Sequence, residues 1–111
     1  MEKITIYFKK EVLNYFNELV FDLYSNDYFS NLENAIQYKE KIIQFIKESI
    51  TTFPSKKSPK KLISFGSEYL FYKANQRTTW FIFFEKSDTV FLITAIINNH
   101  SHFAKYISEK E

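Results

Sequence analysis

Cysteine is absent from this chain, glycine and tryptophan occur once each, and of the 15 basic residues only Arg77 is an arginine. Each shortage closes off some chemistry. Without cysteine there is no disulfide, no thiolate nucleophile and no thiolate-held metal, and that usage fits an expected cytoplasmic address. A single glycine rules out the glycine-rich loops that cradle phosphates. A lone arginine leaves one side chain for planar, two-pronged recognition of a phosphate or a guanine. Long apolar runs are missing too, since no window approaches the ~18 apolar residues of a membrane span. The start, MEKITIYFKK, lacks the basic end and apolar stretch of an export signal. A net charge of +2 is too mild to mark a nucleic-acid binder by itself, because local clustering of charge decides such binding. Nothing in the pattern calls for a cofactor.

What is present is aromatic and apolar. Of 111 residues, 45% are hydrophobic and 20% are Phe, Tyr or Trp, enough for one domain over 1–111 with a real core. In KITIYFKK, Ile4, Ile6 and Phe8 alternate with Thr5 and Tyr7, which predicts a strand. From Lys9 to about Ser25, Val12, Phe16, Leu19 and Leu23 recur every three or four residues, the spacing of an amphipathic helix. Ser30 and Glu33 spell a capping box ahead of Leu32, Ile36, Ile43, Ile46 and Ile50. A second helix is expected to run to about Thr52, because Pro54 disfavours helical geometry at Phe53. PSKKSPKK, with two prolines and four lysines, reads as an exposed connector.

Beyond it the period changes. SEYLFYKA, TTWFIFFEK and TVFLITAIIN are rich in aromatic and β-branched residues and are joined by the short turns NQR and SD, so they predict a three-stranded antiparallel meander. Trp80, Ile82 and Phe84 point one way and Phe81 and Phe83 the other. One face can meet the helical hairpin, and the other needs a second cover, part of which a short helix over HFAKYI would supply. The expected class is α+β: N-terminal strand, helical hairpin, meander, short C-terminal helix.

This order resembles the RelE/ParE superfamily of toxins from bacterial type II toxin–antitoxin systems, across essentially the whole chain. Its most specific part is YKANQRTTWFIFFEKSDTVFLITAIINNH, Tyr72 to His100, similar to a subgroup with an Arg-Thr-Thr-Trp entry, an aromatic Ile-Phe-Phe strand and an Asn-Asn-His ending. The resemblance implies a twisted antiparallel sheet with the hairpin on one face and the toxic surface on the other. It also implies a cognate antitoxin wrapped around the domain, and growth inhibition by metal-independent mRNA cleavage or by inhibition of DNA gyrase. Carried over by residue, the basic position on the strand after the hairpin falls on Lys73. The next strand's arginine position holds Trp80, with Arg77 three residues earlier in the turn. The end of the last strand matches Asn99 or His100, and the tail tyrosine matches Tyr106. The arginines expected around a pentavalent phosphate are mostly missing, and the arginine-rich ending of the gyrase-directed branch is replaced by NNHSH.

Cleavage by attack of a 2′-hydroxyl needs an acid/base and positive charge on the phosphate. His100 suits the first role and Arg77 or Lys73 the second, with Tyr106 assisting. Because meander strands run in alternating directions, Arg77 at the start of the middle strand is expected near Asn98, Asn99 and His100 at the end of the last. Tyr106 and Trp80 could stack on bases, and the run Lys56, Lys57, Lys60 and Lys61 could attract a nucleic-acid backbone or an acidic antitoxin segment. Each has a plainer reading. Asn98, Asn99 or Ser101 could simply cap the HFAKYI helix. The lysine run could be a solvated connector. His100-x-His102 lacks the third ligand that would define a metal site. If the second sheet face is open, Trp80 and Tyr72 form an apolar patch for the antitoxin or for a second copy of the chain. A small-molecule pocket lined by the same two residues is a third option. Catalysis requires His100, Arg77 and Tyr106 to converge around open space, whereas a catalytically inactive binding module needs only the patch.

Overall fold

Both halves of the chain form the elements that their apolar periods dictate. A computed structural model describes residues 3–25, 31–52 and 54–108. Strand β1 (Thr5–Phe8) leads into helices α1 (Lys10–Ser25) and α2 (Leu32–Ser49). After them come the two-residue strand β2 (Lys56–Lys57), strands β3 (Glu68–Lys73), β4 (Thr79–Ser87) and β5 (Val90–Asn98), and the short helix α3 (Lys105–Ser108). Tight 3₁₀ turns occupy Lys60–Leu62 and His102–Ala104. The class is mixed α+β, with a helical hairpin on a five-stranded sheet.

Three local expectations need correcting. The second helix is capped at Asn31, whose Oδ1 accepts the Asn34 backbone N–H at 2.8 Å, while Ser30 lies outside the described residues. Asn31 is extended (φ −141°, ψ 158°), the geometry that frees a short side chain to reach back over the first turn. That helix ends at Ser49 instead of Thr52, and Phe53 is likewise outside the described residues. The basic connector is not merely solvated. Lys56 and Lys57 pair antiparallel with Tyr69 and Glu68, and Ser58 and Pro59 are buried behind them.

The sheet order is β1-β5-β4-β3-β2. The three predicted strands do form the meander, and β1 adds in parallel to its last strand, from Thr5 opposite Val90 to Phe8 opposite Ile93. The hairpin covers one face. Val12 and Phe16 of α1 and Ile42 and Ile46 of α2 pack on Leu70, Trp80, Ile82, Phe84, Phe91, Ile93 and Ile96. Each such side chain contributes about 1.5–3 kcal/mol by leaving water. A bulge interrupts the ladder: Phe83 faces Ala95 while Phe84 faces Ile93, so Thr94 has no partner residue. That extra residue resets the alternation of β5, letting Ile93 and Ile96 both enter the hairpin core.

On the opposite face Leu62, Tyr69, Phe83 and Ile107 form a second, smaller core. The 3₁₀ turn at Lys60–Leu62 and helix α3 supply its cover, as HFAKYI foretold for the tail. Phe71, Phe81 and Ile97, nearer the sheet end, are only partly buried.

Candidate functional site

The stretch Asn98–Ser101 leaves β5 and continues its alternation past the end of the strand. Asn98 and His100 line a cleft on the hairpin side, whereas Asn99 and Ser101 line a cleft on the opposite face. Both clefts therefore sit at one end of the sheet, back to back.

Arg77 is where the meander topology predicted. Asn99 Nδ2 donates to the Arg77 carbonyl at 3.0 Å, its Oδ1 accepts the Thr79 N–H at 2.9 Å, and its own N–H donates to the Thr79 carbonyl at 3.0 Å. The Asn99 side chain thus prolongs the β4–β5 ladder by one step, and its amide is committed to backbone. Asn75 Oδ1 accepts the N–H groups of Arg77 at 2.8 Å and Thr78 at 2.9 Å, closing the β3–β4 turn. Asn98 Oδ1 accepts the His100 N–H at 2.9 Å, and His100 Nε2 lies 3.4 Å from Thr78 Oγ1. Ser101 caps the following turn, its Oγ accepting the Phe103 N–H at 3.2 Å. Of the three capping candidates only Ser101 caps the turn that opens HFAKYI, while Asn98 closes on the His100 N–H and Asn99 on the backbone of the β3–β4 turn and β4.

The proposed catalytic set does not come together. His100 and Arg77 share the hairpin-side cleft, but Tyr106 packs with the second core on the opposite face. The physical reason is strand alternation followed by a tail that crosses beneath the sheet. Lys73 is exposed at the end of β3, opposite Thr79, and lines neither cleft. Trp80 as a base-stacking residue, and Trp80 with Tyr72 as an open apolar patch, also need correction. Facing each other across β3 and β4, they point into the hairpin core, where Trp80 is only 2% exposed and Tyr72 lies 4.8 Å from the Phe45 ring. The open aromatic surface belongs to the other parity.

That surface is a cleft of about 440 Å³ with Tyr69, Phe71 and Phe81 at its base and Asn99, Ser101, Lys56 and Lys105 around it. Its cations are held over rings: Lys56 Nζ is 5.7 Å from the Phe71 centroid and Lys105 Nζ 5.2 Å from that of Tyr106, over which Lys61 also lies at 5.2 Å. Lys61 and Tyr106 do not themselves line the cleft, and Lys60 is exposed on the same 3₁₀ turn as Lys61. Lys56 belongs to the lysine run singled out in the sequence, whereas sequence reasoning missed Lys105 and Phe71 and read Phe81 only as core. The cross-strand pairing of Phe71 with Phe81 was implicit in the meander, but which parity the hairpin would cover was not.

The hairpin-side cleft, about 620 Å³, has Trp80, Tyr38 and Leu19 within it and Arg77, His100 and Asp22 at its edges. Trp80 Nε1 donates to the Tyr38 hydroxyl at 3.0 Å. Burial, and after it the Asp22 carboxylate, push the neighbouring Tyr15 phenol above its ordinary value, so this ring stays neutral beside Trp80. His102 is exposed against Phe103, and among the described residues no group of three His, Cys, Asp or Glu is placed to hold a metal. No described helix is long and apolar enough to cross a membrane.

Fold and clefts together define a mixed α+β domain with a helical hairpin on one face of its sheet and a lysine-flanked aromatic cleft on the other. Compared with protein-family models, with curated proteins and with solved structures, the chain matches none.

Proposed function

We propose that this chain is a growth-inhibiting toxin of the RelE/ParE kind, neutralised by a cognate antitoxin, and that it acts by holding single-stranded RNA on the open sheet face. The observation that carries the reading is the cleft in which Phe71 and Phe81 lie beside Lys56 and Lys105. Flat side chains accept bases of any sequence, and ammonium groups beside them neutralise the phosphates that link those bases. The strand–hairpin–meander order adds support. The separation of Tyr106 from His100 and Arg77 argues against the cleavage chemistry expected of those three, so inhibition here works through binding.

A labelled single-stranded RNA, titrated by fluorescence anisotropy between about 50 and 200 mM salt, tests this. Each lost phosphate contact lowers the log–log salt slope by about 0.7, so Lys56→Gln with Lys105→Gln should lower it by about 1.4. Growth arrest on induced expression should follow the same residues. It should persist in His100→Ala, fail in the double lysine variant, and be relieved by co-expression of the antitoxin. A folded, soluble wild type that neither binds RNA nor slows growth would end the toxin reading. A second reading, a catalytically inactive pairing module on the same fold, rests on the same unassembled trio. It predicts that the aromatic face captures a protein partner or a second copy while RNA is ignored.

A further inference from the structure

The cleft on the hairpin side is not used by that function, and its construction is specific. Its interior is apolar, made by Trp80, Tyr38, Leu19 and Leu23. The polar atom of the indole is already satisfied by Tyr38, so it makes no demand on an occupant. The rim contributed by the sheet is different. Asn75 Oδ1 is spent on two backbone N–H groups and Asn98 Oδ1 on a third, which leaves these amides their NH₂ ends. Beside them stand the Arg77 guanidinium, which has no ion pair or hydrogen bond among the described residues, the Thr78 hydroxyl and the His100 ring. A rim left with donors calls for an acceptor, and an arginine calls for an anionic one.

The opposite lip carries Asp22. A nucleic-acid backbone crossing the cleft would bring further phosphates towards that carboxylate, whereas a ligand with one charged head can direct it to the sheet side alone. The volume, about 620 Å³, is of the size that holds a small molecule. We propose that this cleft binds a small amphiphilic anion: a ring-sized apolar body against Trp80, Leu19 and Leu23, with one carboxylate or phosphate head received by Arg77 and the donors of the β3–β4 turn. The proposal does not depend on the RNA reading, because the two clefts lie on opposite faces.

Trp80 is the sole tryptophan, so the molecule carries its own reporter. The full chain is titrated with phenylacetate and with phenyl phosphate, following Trp80 fluorescence and the single indole N–H resonance. The comparison probes are inorganic phosphate and uncharged benzyl alcohol. Saturable binding of at least one charged aromatic probe is expected, weakened roughly tenfold or more in Arg77→Gln and unchanged in Lys105→Gln on the other face. Benzyl alcohol should bind the wild type at least as much more weakly, a comparison that needs no variant. Whichever of the two charged probes binds more tightly identifies the head group. No saturable response from either at roughly millimolar affinity or better would overturn the proposal. So would equal binding of inorganic phosphate, of benzyl alcohol, or of the charged probe to a folded Arg77→Gln.

Discussion

Gly66 holds its position because nothing larger fits. A Cβ built there would lie 2.6 Å from Thr94 Oγ1, 2.9 Å from Phe83 Cβ and 2.9 Å from the Phe84 backbone nitrogen. Two of those neighbours belong to the main body of β4 at the bulge and cannot swing aside. Thr94, the unpaired bulge residue, donates its hydroxyl to the Phe65 carbonyl, and Ser58 Oγ donates to the Gly66 carbonyl at 2.6 Å, so the loop is pressed onto the sheet from both ends. Gly66→Ala should destabilise by about 1–3 kcal/mol or more through overpacking. The check is a urea melt in which the midpoint falls while the slope is unchanged. The sequence shows a lone glycine before SEYLF. Its reason for being glycine is a contact with residues far along the chain, which local pattern does not reveal.

Among the elements, the junction of the β3–β4 turn with the end of β5 carries most of the polar organisation. NQR was legible as a turn and Asn98–His100 as a strand exit, and antiparallel pairing placed them together. What sequence reading could not supply was the division of labour among three adjacent polar residues. Asn99 ties the turn to the strand by two side-chain hydrogen bonds, while Asn98 and His100 face the hairpin side. Asn99→Ala strands the Thr79 N–H and the Arg77 carbonyl, although both are near solvent and can recruit water. A loss of about 1–2 kcal/mol is therefore expected. Faster amide exchange should be confined to residues 75–79 and 98–101, and exchange spread evenly over the meander would argue against this local role.

Taken whole, the molecule is a sheet with a different cleft on each face at one end. If the faces act independently, Arg77→Gln and Lys105→Gln should show no coupling. In a double-mutant cycle their effects on RNA affinity should add within about 0.3–0.5 kcal/mol, with Arg77→Gln alone nearly silent. A larger coupling would mean that the turn transmits strain between the clefts. The exposed apolar residues on α1 and α2, among them Leu13, Phe21, Leu32 and Ile36, line neither cleft.

The amino-acid sequence by itself determined the elements and most of their order. Periods of two and of three to four are local consequences of backbone geometry, and they place the first strand, both helices, the meander and the short tail helix. Only the tertiary structure decided which side of the meander the hairpin covers, and with it the fate of every aromatic residue there. Trp80 and Tyr72 went into the core, while Phe71 and Phe81 stayed at an open cleft. Alternation fixes which residues share a face but carries no sign, and the sign comes from long-range packing. The bulge at Thr94 and the tail that carries Tyr106 beneath the sheet are of the same kind, since both depend on contacts between residues distant in sequence.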